Sequence, residues 1–135
     1  MSAGWATASG ELTVGQLAEQ AAEAVRALNH LTRPCAGGLD DPGELSDIVA
    51  ALVCATARLP QLLAQLSSWL VGEQRAGRLR VDAWSDTPAA ATVTAATTAL
   101  RQAASCAVRA SHELDAAHQS LAHLAATGED ERLVP

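Results

Sequence analysis

Apolar residues between Asp41 and Gly77 recur in alternating steps of three and four: Leu45, Ile48, Leu52, Ala55, Leu59, Leu62, Leu66 and Trp69. That spacing gathers them on one face of a helix, the arrangement that buries against a neighbouring helix. A second stripe, Val49, Val53, Leu63 and Leu70, lies beside the first and widens the apolar arc. An arc that wide needs neighbours on more than one side. Asp41 suits the N-cap, Pro42 the first helical position, and Glu44 completes a capping box. Gly77 offers a left-handed stop. The pattern predicts one helix over 42–76, roughly 50 Å long at 1.5 Å per residue. Pro60 lies inside it and cannot donate to the carbonyl of Thr56. Because the apolar phase runs unshifted from Leu59 to Trp69, a kinked helix is expected rather than two helices joined by a loop.

The same reading finds a helix on either side. Thr13 and Gln16 form a capping box, and Leu12 with Leu17 supplies the hydrophobic staple across it. A seam of Val14, Leu17, Ala21, Ala24, Leu28 and Leu31 follows, and Pro34 ends this helix near 14–32. Cys35–Asp40, with Gly37-Gly38, reads as a short flexible connector. Thr87 as N-cap and Pro88 at the first position open the last helix over 88–127. Its seam is Val93, Ala96, Leu100, Ala103, Ala107, Ala110, Leu114, Ala117, Leu121 and Leu124, stopped by Gly128. Alanine at half of these positions allows a partner helix to approach closely, although each missing methylene forfeits about 0.8 kcal/mol of transfer energy.

The expected fold class is all-α: an antiparallel, up-down-up three-helix bundle whose long second and third helices resemble a coiled coil. Residues 13–127 read as a single domain between flexible tails at 1–12 and 128–135. The first helix is the shortest, so three helices cover the chain only to about Pro60. Beyond it, a two-helix hairpin of 61–76 against 88–107 still carries Leu62, Leu63, Leu66, Trp69, Leu70 and Val71. One alanine-rich partner helix cannot cover that set, and an uncovered apolar patch marks an interaction surface. Trp5 in the N-terminal tail is a competing cover.

Composition narrows the function classes. The chain of 135 residues has 31 alanines, no Lys, Phe or Tyr, and one Ile and one Asn. This bias is what a GC-rich bacterial genome gives, so the missing lysines carry no functional message. A net charge of −6 disfavours a nucleic-acid or anionic-membrane surface. Ile48–Gly72 holds only Arg58 as a charge, yet Pro60, Gln61, Gln65, Ser67 and Ser68 interrupt it, so no membrane span is expected. The first ten residues lack the basic region and apolar core of a signal peptide, which makes the cytoplasm the expected location. Cys35, Cys54 and Cys106 give neither a disulfide framework nor zinc spacing. Cys54 and Cys106 read as small packing residues on helix flanks.

No constellation for catalysis emerges. None of Glu11, Glu19, Glu23, Glu44, Glu73 and Glu113 has a histidine three residues on, which rules out the paired motif of di-iron bundles. His112-Glu113 lacks the second histidine four positions after the first that a zinc-protease helix requires. His112, Asp115, Gln119 and His123 share one helix face, but the seam turns it outward, and no metal site is expected there. His118 reads as a boundary residue and His30 as a solvated one. Gly37-Gly38 lacks the Gly-Lys-Ser/Thr of a phosphate-binding loop. Arg75, Arg78 and Arg80 form the basic cluster, a candidate anion patch or simply cations decorating a helix C-terminus. Trp84 is expected to cap the core near Trp69.

The chain therefore reads as a non-enzymatic interaction or assembly protein with no cofactor. It would act through exposed apolar helix faces, as a homodimer or with a helical protein partner. The alternative is a small regulatory module with an anion or ligand site near Arg75–Arg80.

Overall fold

A computed structural model describes residues 11–125 and 127, so the flexible-tail expectations and Trp5 fall almost wholly outside the described residues. Among the described residues the chain is all-α: α1 (Val14–Leu31), α2 (Pro42–Arg75) and α3 (Ala89–Leu121), of 18, 34 and 33 residues, with no strand. The three-helix, all-α expectation holds. The chain divides between Asp40 and Asp41 into two compact units, where the apolar pattern read residues 13–127 as one domain.

The first unit contains α1, whose start follows the expected chemistry. The Gln16 amide donates to Thr13 Oγ1 at 3.1 Å, and the Thr13 amide donates to Gln16 Oε1 at 2.9 Å. This reciprocal box satisfies two amides that the first helical turn leaves without partners. Leu12 and Leu17 are both half-buried. None of the residues of α1 is buried, and Val14 is 79% exposed. In the connector, Gly38 passes so close to Leu31 that a Cβ would collide with the carbonyl oxygen, so only glycine fits.

The second unit is built on α2 and α3, which pack closely against each other. Asp41 caps α2, accepting from the Glu44 amide at 2.8 Å. The helix continues without a break through Pro60, as the unshifted phase requires. Its end is a Schellman motif: Gly77, at φ +71°, donates to Gln74 O at 3.1 Å, and Arg78 donates to Glu73 O at 3.0 Å.

α3 departs from expectation at both ends. Its N-cap is Pro88 rather than Thr87, and proline has no side-chain acceptor to cap the first turn; the Thr87 amide donates to Ser85 Oγ at 3.2 Å. Its last turn is reached at Leu121 instead of near residue 127. There the His123 amide bonds Ser120 O at 3.2 Å and the Leu124 amide bonds Leu121 O at 3.0 Å, a three-residue winding that closes the helix early.

The largest correction concerns which face of α2 is covered. Ser46, Val49, Val53, Thr56, Pro60, Leu63, Ser67, Leu70 and Gln74 form a line of buried or half-buried residues. That line is the expected seam displaced by one residue, roughly 100° around the helix. It contains the weaker of the two apolar stripes, completed by serine, threonine, proline and glutamine. Leu45, Ala55, Leu59, Leu62, Leu66 and Trp69 are exposed, while Ile48 and Leu52 are half-buried.

On α3 the matching line is Val93, Thr97, Leu100, Ala104, Ala107, Ser111, Leu114, His118 and Leu121. Ala96 and Ala110 are also half-buried, whereas Ala103, Ala117 and Leu124 are exposed, against expectation. Small side chains at these positions let two helices approach closely. Three of the seam hydroxyls bond within their own helix. Thr56 Oγ1 donates to Leu52 O at 2.8 Å, Thr97 Oγ1 to Thr94 O at 3.1 Å, and Ser111 Oγ to Val108 O at 2.8 Å. The seam can therefore be polar without leaving these donors unpaired.

Candidate interaction surface

Of the six residues expected to form an interaction surface, three lie open. Leu62, Leu66 and Trp69 are 46%, 44% and 61% exposed. Leu63, Leu70 and Val71 are half-buried, and all three line grooves shared with α3. The open residues continue along α2 through Leu59 and Leu45, 39% and 37% exposed. Leu45 to Trp69 thus makes a ridge roughly 36 Å long at 1.5 Å per residue.

The grooves show what borders this ridge. Leu63, Ala64, Ser67 and Ser68 of α2 line one with Leu100, Arg101 and Ala104 of α3. Val71, Gly72 and Arg75 line the next with Thr97 and Arg101. Both lie on the side of α2 away from the leucine ridge. On the ridge side, Leu70 lines a pocket with Leu79 and Val81 of the connector and Ala89, Thr92, Val93 and Ala96 of α3. Along α3, Ala103, Ala110 and Ala117 follow Ala96 at intervals of seven and share its face. Beside the leucine ridge therefore runs a strip of alanines. Arg58, Gln61 and Gln65 of α2 are exposed outside the ridge.

The basic cluster is not one patch. Arg78 is held by Glu73 through two bonds, Nε to Oε2 at 2.7 Å and Nη2 to Oε1 at 2.8 Å. This bidentate pair holds the Glu73 carboxyl below, and the Arg78 guanidinium above, their ordinary pKa values. Arg75 turns into the groove containing Arg101, and Arg80 lines the connector pocket. Sequence spacing missed Arg101 because it lies on another helix, 26 positions from Arg75.

The remaining candidates separate. His112, Asp115, Gln119 and His123 are all exposed, with Gln119 Nε2 donating to Asp115 Oδ2 at 3.0 Å. Among the described residues no group of three or more His, Cys, Asp or Glu side chains is close enough to hold a metal ion. His118 is half-buried on the α3 seam, and Arg33 Nη2 lies 2.7 Å from His30 Nδ1. Cys54 and Cys106 are exposed instead of packed, because each lies well round its helix from the line that faces the other helix. Trp84 caps nothing: it is 93% exposed, its amide held by Asp82 Oδ1 at 3.1 Å. By length and composition alone, α2 could cross a membrane. No protein-family model matches the chain, and none of the curated proteins or solved structures compared with it is similar.

Proposed function

We propose that this protein is a non-catalytic helical assembly module that pairs with a second copy of itself through the leucine ridge of α2. The observation that carries the reading is an apolar ridge running most of the length of a helix, left open beside an alanine strip. In this reading α2 and α3 form an antiparallel, coiled-coil-like hairpin. Its support is the order of facing residues: as the groove lining advances from Ala64 to Arg75 on α2, it retreats from Ala104 to Thr97 on α3.

A second copy fits because the face is self-complementary. A two-fold axis would set each leucine ridge on the other copy's alanine strip, giving a four-helix core with the same patch used twice. A ridge roughly 36 Å long on a face two helices wide would bury on the order of 700 Å² per protomer. That is close to the roughly 800 Å² per partner of a stable standard-size interface. A heteromeric helical partner would use the same ridge. Such a module needs no cofactor, and it would work in the cytoplasm. A membrane role is disfavoured by Arg58, Gln61 and Gln65 on the rest of α2.

The test is solution mass by light scattering across a concentration series, with binding of a hydrophobic dye measured in parallel. A dimer that Leu62→Glu dissociates, and Glu19→Gln does not, is the expected result. A monomer that binds the dye points to a heteromeric partner. A strict monomer that binds no dye ends the proposal.

A further inference from the structure

The groove between α2 and α3 on the side away from the leucine ridge has a different chemistry. Arg75 reaches it from α2 and Arg101 from α3, and its other lining residues are Ser67, Ser68, Val71, Gly72 and Thr97, around about 320 Å³ of space. Two arginines from different helices thus line one groove, and no carboxylate is among its lining residues. Neither side chain makes an ion pair or hydrogen bond among the described residues, although this chain carries more acid than base. Glu73, a carboxylate near this helix end, is engaged by Arg78.

We propose that this groove binds a phosphoryl oxyanion, free or carried on a larger molecule. Guanidinium presents two parallel donors that match the oxygens of such a group, and two of them offset its full charge. The hydroxyls of Ser67 and Ser68 have no partner among the described residues and are available as further donors. Thr97 Oγ1 is not, since its proton goes to Thr94 O.

Gly72 keeps the wall open. A Cβ built there meets no atom within 4 Å, so packing does not require glycine. Glycine in a helix interior nevertheless carries a propensity penalty relative to alanine. A long side chain at position 72 would project into the groove mouth.

The probe is inorganic phosphate, titrated at constant ionic strength and followed by the amide resonances of Ser68 and Gly72. Saturable shifts are expected, with a dissociation constant on the order of 1 mM. Arg75→Gln and Arg101→Gln should each weaken it at least about tenfold, the scale of one lost charge-assisted bond. Gly72→Leu should weaken it by blocking the groove, while Arg80→Gln, in the other pocket, should leave it unchanged. Methyl phosphate binding more tightly than inorganic phosphate would assign the site to a phosphomonoester on a larger molecule; the reverse would assign it to the free ion. The proposal is overturned if chloride reproduces the shifts, or if both arginine variants titrate like the parent.

Discussion

Replacing Leu66 by alanine separates the two faces of α2 most cleanly. Leu66 keeps 44% of its surface exposed in the single chain. Fully burying a leucine is worth about 1.5–3 kcal/mol, so covering the open part contributes about 1 kcal/mol per protomer. A two-fold interface uses the residue twice, which makes about 2 kcal/mol per dimer. Leu66→Ala should therefore weaken the proposed dimer roughly 30-fold while barely changing the folding stability of the single chain. Leu63→Ala should do the opposite. Leu63 is half-buried between α2 and α3, so its truncation should cost about 1–2 kcal/mol of folding stability, less than a fully buried site loses. Sedimentation equilibrium gives the dissociation constant, and urea denaturation at fixed protein concentration gives the stability. If Leu63→Ala dissociates the dimer and Leu66→Ala does not, the assignment of faces is wrong.

Three further outcomes test the structure. Gln74 Oε1 is buried without a hydrogen-bond partner, so Gln74→Leu should stabilise the packed helix pair by about 1 kcal/mol, and a lower denaturation midpoint would contradict its placement. Arg78 lowers the pKa of Glu73 below its ordinary value of 4.5. The pair's contribution is complete above that value and is lost as pH falls through the depressed one, so Glu73→Gln should flatten the acid end of the stability curve. An unchanged slope would show that the ion pair is idle. With Trp5 and Trp84 both replaced by Leu, the emission of Trp69 should move to shorter wavelength as the protein associates. A concentration-independent spectrum would place Trp69 outside the interface.

Helix existence was legible in the sequence because caps and stops are local. Thr13 with Gln16, Asp41 with Glu44, and Gly77 each act within a few residues, and each does so in the structure as its neighbours imply. The choice of seam was not legible. Hydrophobicity ranks Leu59, Leu62 and Leu66 above Thr56, Pro60 and Ser67, yet the line containing the latter faces α3. What decides is size and internal hydrogen bonding: a threonine that bonds Leu52 O has no unmet donor to hide. No count of apolar residues registers that. That α2 leaves leucines exposed was legible in outline, because too many leucines stood opposite too many alanines. Which ones they are was not, since a one-residue displacement exchanges Leu63 and Leu70 for Leu59 and the upstream ridge. That Arg75 and Arg101 line one groove could not be read at all, because residues 26 positions apart share it only once α2 packs on α3.

The small-residue seam also determines which mutations the chain tolerates. At Ala104, Ala107 and Ser111 the constraint is bulk. Exchanges among alanine, serine and glycine leave room for the opposing helix, whereas valine or leucine must push it away. In the proposed dimer the constraint at Leu59, Leu62 and Leu66 is polarity, since the ridge has open space and a methionine or isoleucine serves as well as leucine. The two packed helices therefore carry two kinds of selective filter, a size gate along the α3 seam and a polarity gate along the α2 ridge. A saturation library scored separately for folding and for association would separate them. The folding score would follow side-chain volume along the first line, and the association score would follow hydrophobicity along the second.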